Sequence, residues 1–159
     1  MINPHLLRCV ALAEEALKAG DAPFGSVLVD ENGNVLKEDR NRVNSVDRTY
    51  HPEIELARWA AKNLTREQRR NTIMYTSGEH CPMCAAAHGW AELGKVIYIH
   101  STEQLTQWHK EFGLGESRVS QLPIKDIAPE VEVEGPVDNL LPRMYQLHKA
   151  YVTAEKSHR

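Results

Sequence analysis

Apolar positions in the first twenty residues recur at the helical interval. Leu6, Leu7, Val10, Ala13, Ala16 and Leu17 keep one stripe, Asn3-Pro4 supplies a cap and a first-turn proline, and Gly20 ends it. The pattern then shortens to that of strands. Residues 24–30 and 35–39, separated by Asn32-Gly33, read as a hairpin. A polar loop follows over 41–47, and His51-Pro52 opens a second helix. Residues 65–70 form a charged, solvated connector. Residues 72–76 are a short strand rich in β-branched and aromatic side chains, and a helix runs from Pro82 to Leu93, with Gly94 as its stop. The nearly continuous apolar run 96–100 suits a strand covered on both faces. A short helix over 103–112, a Gly113-Leu114-Gly115 loop and an alternating edge strand over 131–134 come next. Asp138 is expected to cap a final helix that has Pro142 in its first turn. Helix, hairpin and strand–helix alternation in this order predict an α/β fold: one domain over 1–159, a mixed sheet of about five strands, and helices on both faces.

Within the second helix the same periodicity separates two glutamates. Three, four, seven and eleven residues beyond Glu53 stand Leu56, Ala57, Ala60 and Leu64. The same steps from Glu55 reach Arg58, Trp59, Lys62 and Arg66. Glu53 therefore leads the buried face and Glu55 the wet one. A buried carboxylate is costly unless it is paired or used, so Glu53 should have a cap, an ion pair or a chemical role.

The third helix adds the chemistry. Cys81-Pro82-Met83-Cys84 puts two thiols three residues apart at a helix N-terminus, where the dipole favours their ionised forms. Two thiolates do not complete a zinc site; a catalytic zinc takes three protein ligands and keeps one position open, and His51 offers the third. Composition agrees with a soluble globular chain. Of 159 residues, 42% are hydrophobic and 26% charged, and the formal net charge of −3 gives no support to binding a long nucleic acid through its phosphates. No apolar run approaches the roughly 18 residues that span a bilayer, and no secretory leader is visible. Three cysteines, two of them close-spaced, suit a metal and a reducing, cytoplasmic setting better than a disulfide framework. Cys9 reads as a small buried thiol.

Taken together, these motifs resemble the cytidine deaminase-like superfamily, in the branch of guanine, cytosine and tRNA adenosine deaminases. Pro23-Phe24-Gly25-Ser26-Val27-Leu28-Val29 is similar to that family's P-[FV]-G-[AS]-V-[LIV]-V strand. His51-Pro52-Glu53 is similar to H-A-E, and Glu79 to Cys84 to E-P-C-x-M-C. Pro52 replaces an alanine, which a first helical turn accepts. His80 replaces a proline and adds a histidine beside the cysteines. The resemblance implies a three-layer α/β/α sandwich and a Zn2+ ion on His51, Cys81 and Cys84. Glu53 would be the proton shuttle of hydrolytic deamination. It also implies a base-binding role for Asn41, one residue nearer the histidine than usual, and a stabilising role for the backbone beside Glu79. Phe24 points to the guanine and cytosine deaminases, so the expected substrate is a free nucleobase, guanine foremost, converted to xanthine and ammonia. Cytosine, cytidine, a triazine or a tRNA adenosine stand as alternatives. Glu116, after the glycine-rich turn, is a candidate contact for guanine's amide edge. A homodimer is implied, and the apolar final helix with Met144, Tyr145, Leu147, Tyr151 and Val152 is consistent with one; Tyr145 or Tyr151 either closes the pocket or packs in the core.

Two other readings fit parts of the pattern. A structural zinc module would close the site with His80 or His88 as fourth ligand, leaving Glu53 without a use. A Cys-x-x-Cys redox protein would leave both His51 and Glu53 without one. Trp90 is expected in the core, Trp108 and His109 are candidates to line a pocket, and His5, His100, His148 and His158 read as surface or structural.

Overall fold

The computed structural model describes residues 1–157; His158 lies outside the described residues. A five-stranded mixed sheet in the order β2-β1-β3-β4-β5 forms the middle layer. Its strands are β1 (Gly25–Val29), β2 (Val35–Arg40), β3 (Ile73–Gly78), β4 (Lys95–His100) and β5 (Val133–Glu134). β1 is antiparallel to both β2 and β3, whereas β3, β4 and β5 run parallel. The hairpin turns as its sequence requires. Gly33 adopts a φ of 82°, and the Asp30 carboxylate accepts bonds from the Asn32 and Asn34 amides.

Helices cover both faces because alternate strand residues point opposite ways. Val27, Val29, Tyr75 and Ile99 pack on one side with Leu6, Cys9 and Leu12 of α1 (Pro4–Lys18) and with Met144 and Leu147 of α7 (Leu141–Ser157). Leu28 and Met74 pack on the other with Leu56, Ala57 and Ala60 of α2 (Pro52–Asn63), alongside Ala87 of α4 (Pro82–Trp90). Leu56, Ala57 and Ala60 are the buried face counted from Glu53, and Glu53 itself is only 4% exposed. Cys9 is fully buried, and burial pushes its thiol pKa up.

Several expectations need correction. The 65–70 connector is partly a helix, α3 (Arg66–Arg70), opened by a Thr65/Gln68 capping box and tied to Glu92 by Arg66 and Arg70. α4 stops at Trp90, three residues early, as the chain turns through Glu92 at a φ of 54°. Trp90, the last residue of α4, is 90% exposed instead of buried. α5 (Thr102–Glu111) matches its expectation, but α6 (Ile124–Ile127) was hidden inside a stretch without helical periodicity. Asp138 begins a 3-10 turn that feeds α7, and Val137 takes the cap position in front of it. Three apolar residues of α7 are covered within their own chain, and its two tyrosines are half-buried. Met144, Leu147 and Val152 are buried, Tyr145 bonds Glu111, and Tyr151 accepts a bond from Asn44. Among the described residues no helix is long and apolar enough to cross a membrane.

Candidate metal centre and its buried glutamate

Two helix starts on the same side of the sheet build the site. His51 is the N-cap residue of α2 and Cys81 that of α4, each in extended backbone followed by proline. Cys84 lies one turn into α4 and is fully buried. His51 Nδ1 stands 3.5 Å from Cys81 Sγ and 3.6 Å from Cys84 Sγ. All three donor atoms lie within 4.8 Å of one another, a group that could hold a metal ion. For bonds of the usual Zn–S and Zn–N length, tetrahedral angles give an N···S edge of about 3.6 Å. The donors therefore fit zinc in both type and spacing.

Electrostatics agree for one of the two thiols. The Cys84 thiol and the His51 ring, working against burial, hold Cys81 down at about 4, so it is a ready thiolate. Cys84 is pushed well up, first by sharing a proton with Cys81 and then by burial.

The two histidines that might have closed the site do not. His88 Nε2 donates to the Gly94 carbonyl at 2.7 Å. His80 is fully buried and meets His88 edge-on, with ring centroids 5.0 Å apart, and it stands outside the three-donor group.

Glu53 follows His51 by two residues, in the first turn of α2. Its Oε1 accepts from Ser26 Oγ and from Thr76 Oγ1, both at 3.1 Å, and the two hydroxyls are 2.8 Å apart. Burial raises its pKa; the charge of His51 and the two hydroxyls pull the other way without cancelling that rise. A carboxylate poised upwards in this way, next to a metal site, can both take and return a proton. Sequence reasoning missed Ser26 and Thr76. Their signal was a polar residue at an inward-facing position of an otherwise apolar strand.

The remaining candidates divide. Asn41 is buried and anchored: its amide donates to the Phe24 carbonyl and its Oδ1 accepts from the Val43 amide. The loop carrying it is pinned by Asp21, fully buried, which takes bonds from the Asn44 and Ser45 amides and from Arg40. Phe24 is half-buried at the entry to β1, with its ring 4.9 Å from that of His148. Glu79 is committed elsewhere. Its carboxylate caps α5 through the Thr102 amide at 3.0 Å and accepts the Ile124 amide at 2.8 Å, and its own amide donates to the His100 carbonyl. Glu116 is exposed and makes no hydrogen bond or ion pair among the described residues.

Comparison with known proteins now bears on the same segment. Residues 3–100 match the cytidine and deoxycytidylate deaminase zinc-binding region. The chain belongs to that family. His51, Cys81 and Cys84 all fall inside the matched region, and zinc is the cofactor that their geometry fits. A probable cytosine deaminase of Schizosaccharomyces pombe is 33% identical over 109 residues, 69% of this chain and 66% of that protein. A guanine deaminase of Bacillus subtilis is 40% identical over 94 residues, 58% of this chain and 60% of that protein. The match thus spans less than two thirds of these relatives. The solved guanine deaminase from Nitrosomonas europaea superposes with a TM-score of 0.68 at 16% identity, covering 96% of this chain and 86% of that one, a likeness of fold.

Proposed function

We propose that this chain is a zinc-dependent hydrolytic deaminase of a free purine-like base, converting guanine to xanthine and ammonia. The observation that carries this reading is the buried Glu53, held by Ser26 and Thr76 beside three metal donors. A closed structural zinc site has no use for such a group.

His51, Cys81 and Cys84 would hold the ion. Bound there, zinc supplies Lewis acidity, which brings the pKa of water down to about 7. Glu53 takes a proton from the attacking water as its oxygen bonds to the ring carbon that bears the amine. The protonated carboxyl passes that proton to the adjacent ring nitrogen, then carries the second water proton to the amine. The C–N bond breaks, ammonia leaves, and the carbon keeps a carbonyl. Proton transfer by a positioned group contributes roughly 10²–10⁴-fold.

Substrate choice rests on Asn41, Phe24 and charge. Asn41 spends its side-chain oxygen on Val43, leaving the amide N–H groups as donors to a base. Phe24 offers a ring face. The net charge of −3 favours a small uncharged substrate over a tRNA backbone. Similarity to a guanine deaminase supports guanine. Similarity to a cytosine deaminase supports cytosine as the second reading. Glu116 is the carboxylate this reading assigns to guanine's amide edge, whereas Glu79 contributes through the chain it ties down. A homodimer belongs to the reading on the strength of the family resemblance, since Met144, Leu147 and Val152 of α7 are buried within their own chain.

Steady-state ammonia release from guanine, cytosine, adenine, cytidine and a tRNA anticodon stem-loop tests the proposal. Guanine is expected to give the highest kcat/KM. Turnover of the stem-loop alone would overturn the substrate, and release from none of them would overturn the activity.

A further inference from the structure

Three histidines outside the metal centre converge at the end of the sheet where β3 and β4 both finish. His100 closes β4, His148 comes from α7 and His109 from α5. The rings of His100 and His148 meet edge-on with centroids 5.0 Å apart; Trp108 lies 5.0 Å from His100, and Phe24 4.9 Å from His148. His100 and His148 are each 1% exposed. Among the described residues, both ring nitrogens of His100, and Nε2 of His148, have no hydrogen-bond partner. Buried polar atoms without partners are rare and costly in native proteins. Packing alone does not account for them, because leucine would fill the space without that cost.

Their place in the sheet relates them to Glu53. Ser26 and Thr76 face Glu53, and Thr76 pairs with Tyr98 while Gly78 pairs with His100. Two residues on in each strand is the same face. His100 therefore leaves the strand on the Glu53 face beside the bare Gly78, and past the strand ends its ring meets His148 of α7 and Trp108 of α5. A Cβ at Gly78 would come within 2.6 Å of His100 Cε1 and 3.0 Å of Phe24 Cε1. In open α/β sheets, ligands bind beyond the carboxyl ends of the parallel strands, which is this edge.

We propose that His100 and His148 are the specificity-determining half of the substrate pocket, meeting the ring edge of an uncharged aminated heterocycle with one donor and one acceptor each. This rests on the deaminase reading. Burial holds both imidazoles neutral, His100 at about 4 against the opposing pull of the Ser101 backbone and His148 well below its ordinary value, with neighbouring histidines adding to the burial effect. A neutral imidazole carries one N–H and one bare nitrogen. Such a pair complements an amide-like –NH–C(=O)– edge and offers no charge to a phosphate, so free bases are preferred over nucleotides. Phe24 and Trp108, both half-buried, supply the apolar faces on either side.

The test compares parent, His100→Leu, His148→Leu and His100→Gln as zinc-loaded proteins with guanine and cytosine. Loss of ground-state hydrogen bonds should raise KM about tenfold in each leucine variant, with kcat within about threefold of the parent. The leucine variants should melt no lower than the parent, and His100→Gln should recover part of the KM. Leucine variants with unchanged KM, or with KM raised only in step with a lost Tm, overturn the inference. An independent reading is the 15N imidazole spectrum of zinc-loaded protein titrated with xanthine. His100 and His148 should shift while His5 does not, and saturation without a shift at either also overturns it. Ammonia release by the parent alongside unchanged KM in the variants sinks this inference alone. No release by the parent sinks the deaminase reading with it.

Discussion

Glu53 shows how far a single residue can be read. Helix spacing placed it on the buried face, and its 4% exposure bears that out. What spacing could not reveal is that Ser26 and Thr76, 27 and 23 residues away, hold one of its oxygens. Those contacts come from the β1–β3 register, which no local pattern encodes. They carry a prediction. Both hydroxyls favour the charged carboxylate, so removing them with Ser26→Ala and Thr76→Val should raise the Glu53 pKa further. The acid limb of kcat/KM should then move to higher pH by about half to one unit in the double variant. A pH–rate profile checks this; an unmoved limb would show that the hydroxyls do not tune the base. Glu55→Gln, on the other face of the same helix, should leave that profile as in the parent.

Among the elements, those with strong periodicity or clear caps were legible. α1, the hairpin, α2, β4 and α5 emerge where their apolar spacing put them. α3 and α6 did not, because a helix of five or four residues is too short to repeat an apolar position. Trp90 misled because a large apolar residue near a helix end says nothing about which way the last turn points. The elements also hold a cluster of buried imidazoles that sets acid stability. Burial holds His88 and His100 at about 4 in the folded chain, against about 6.5 unfolded. The unfolded chain therefore binds more protons between those values, so stability is complete above pH 6.5 and falls as pH drops towards 4. Each could contribute on the order of 3 kcal/mol across that window. Urea unfolding at pH 7 and pH 5 should show a lower midpoint at pH 5, and His100→Leu should lessen the drop. A midpoint independent of pH would contradict the assignment.

For the molecule as a whole, the metal donors were the most legible part. Cys81 and Cys84 share a motif, and His51 shares the helix-start pattern with proline next. The histidines at the sheet edge were the least legible, since β4, α5 and α7 bring His100, His109 and His148 together only in the folded chain. The site as a whole predicts a division of labour: three side chains hold zinc and one carboxylate moves protons. Cys84→Ala should lower bound zinc from about one per chain and abolish turnover together. The most direct measurement is ammonia release from guanine by the zinc-loaded parent and by Glu53→Gln, with zinc content determined on both. The account predicts equal zinc and a loss of at least about 10²-fold in kcat for Glu53→Gln. Turnover by Glu53→Gln close to that of the parent, at equal zinc, would contradict it.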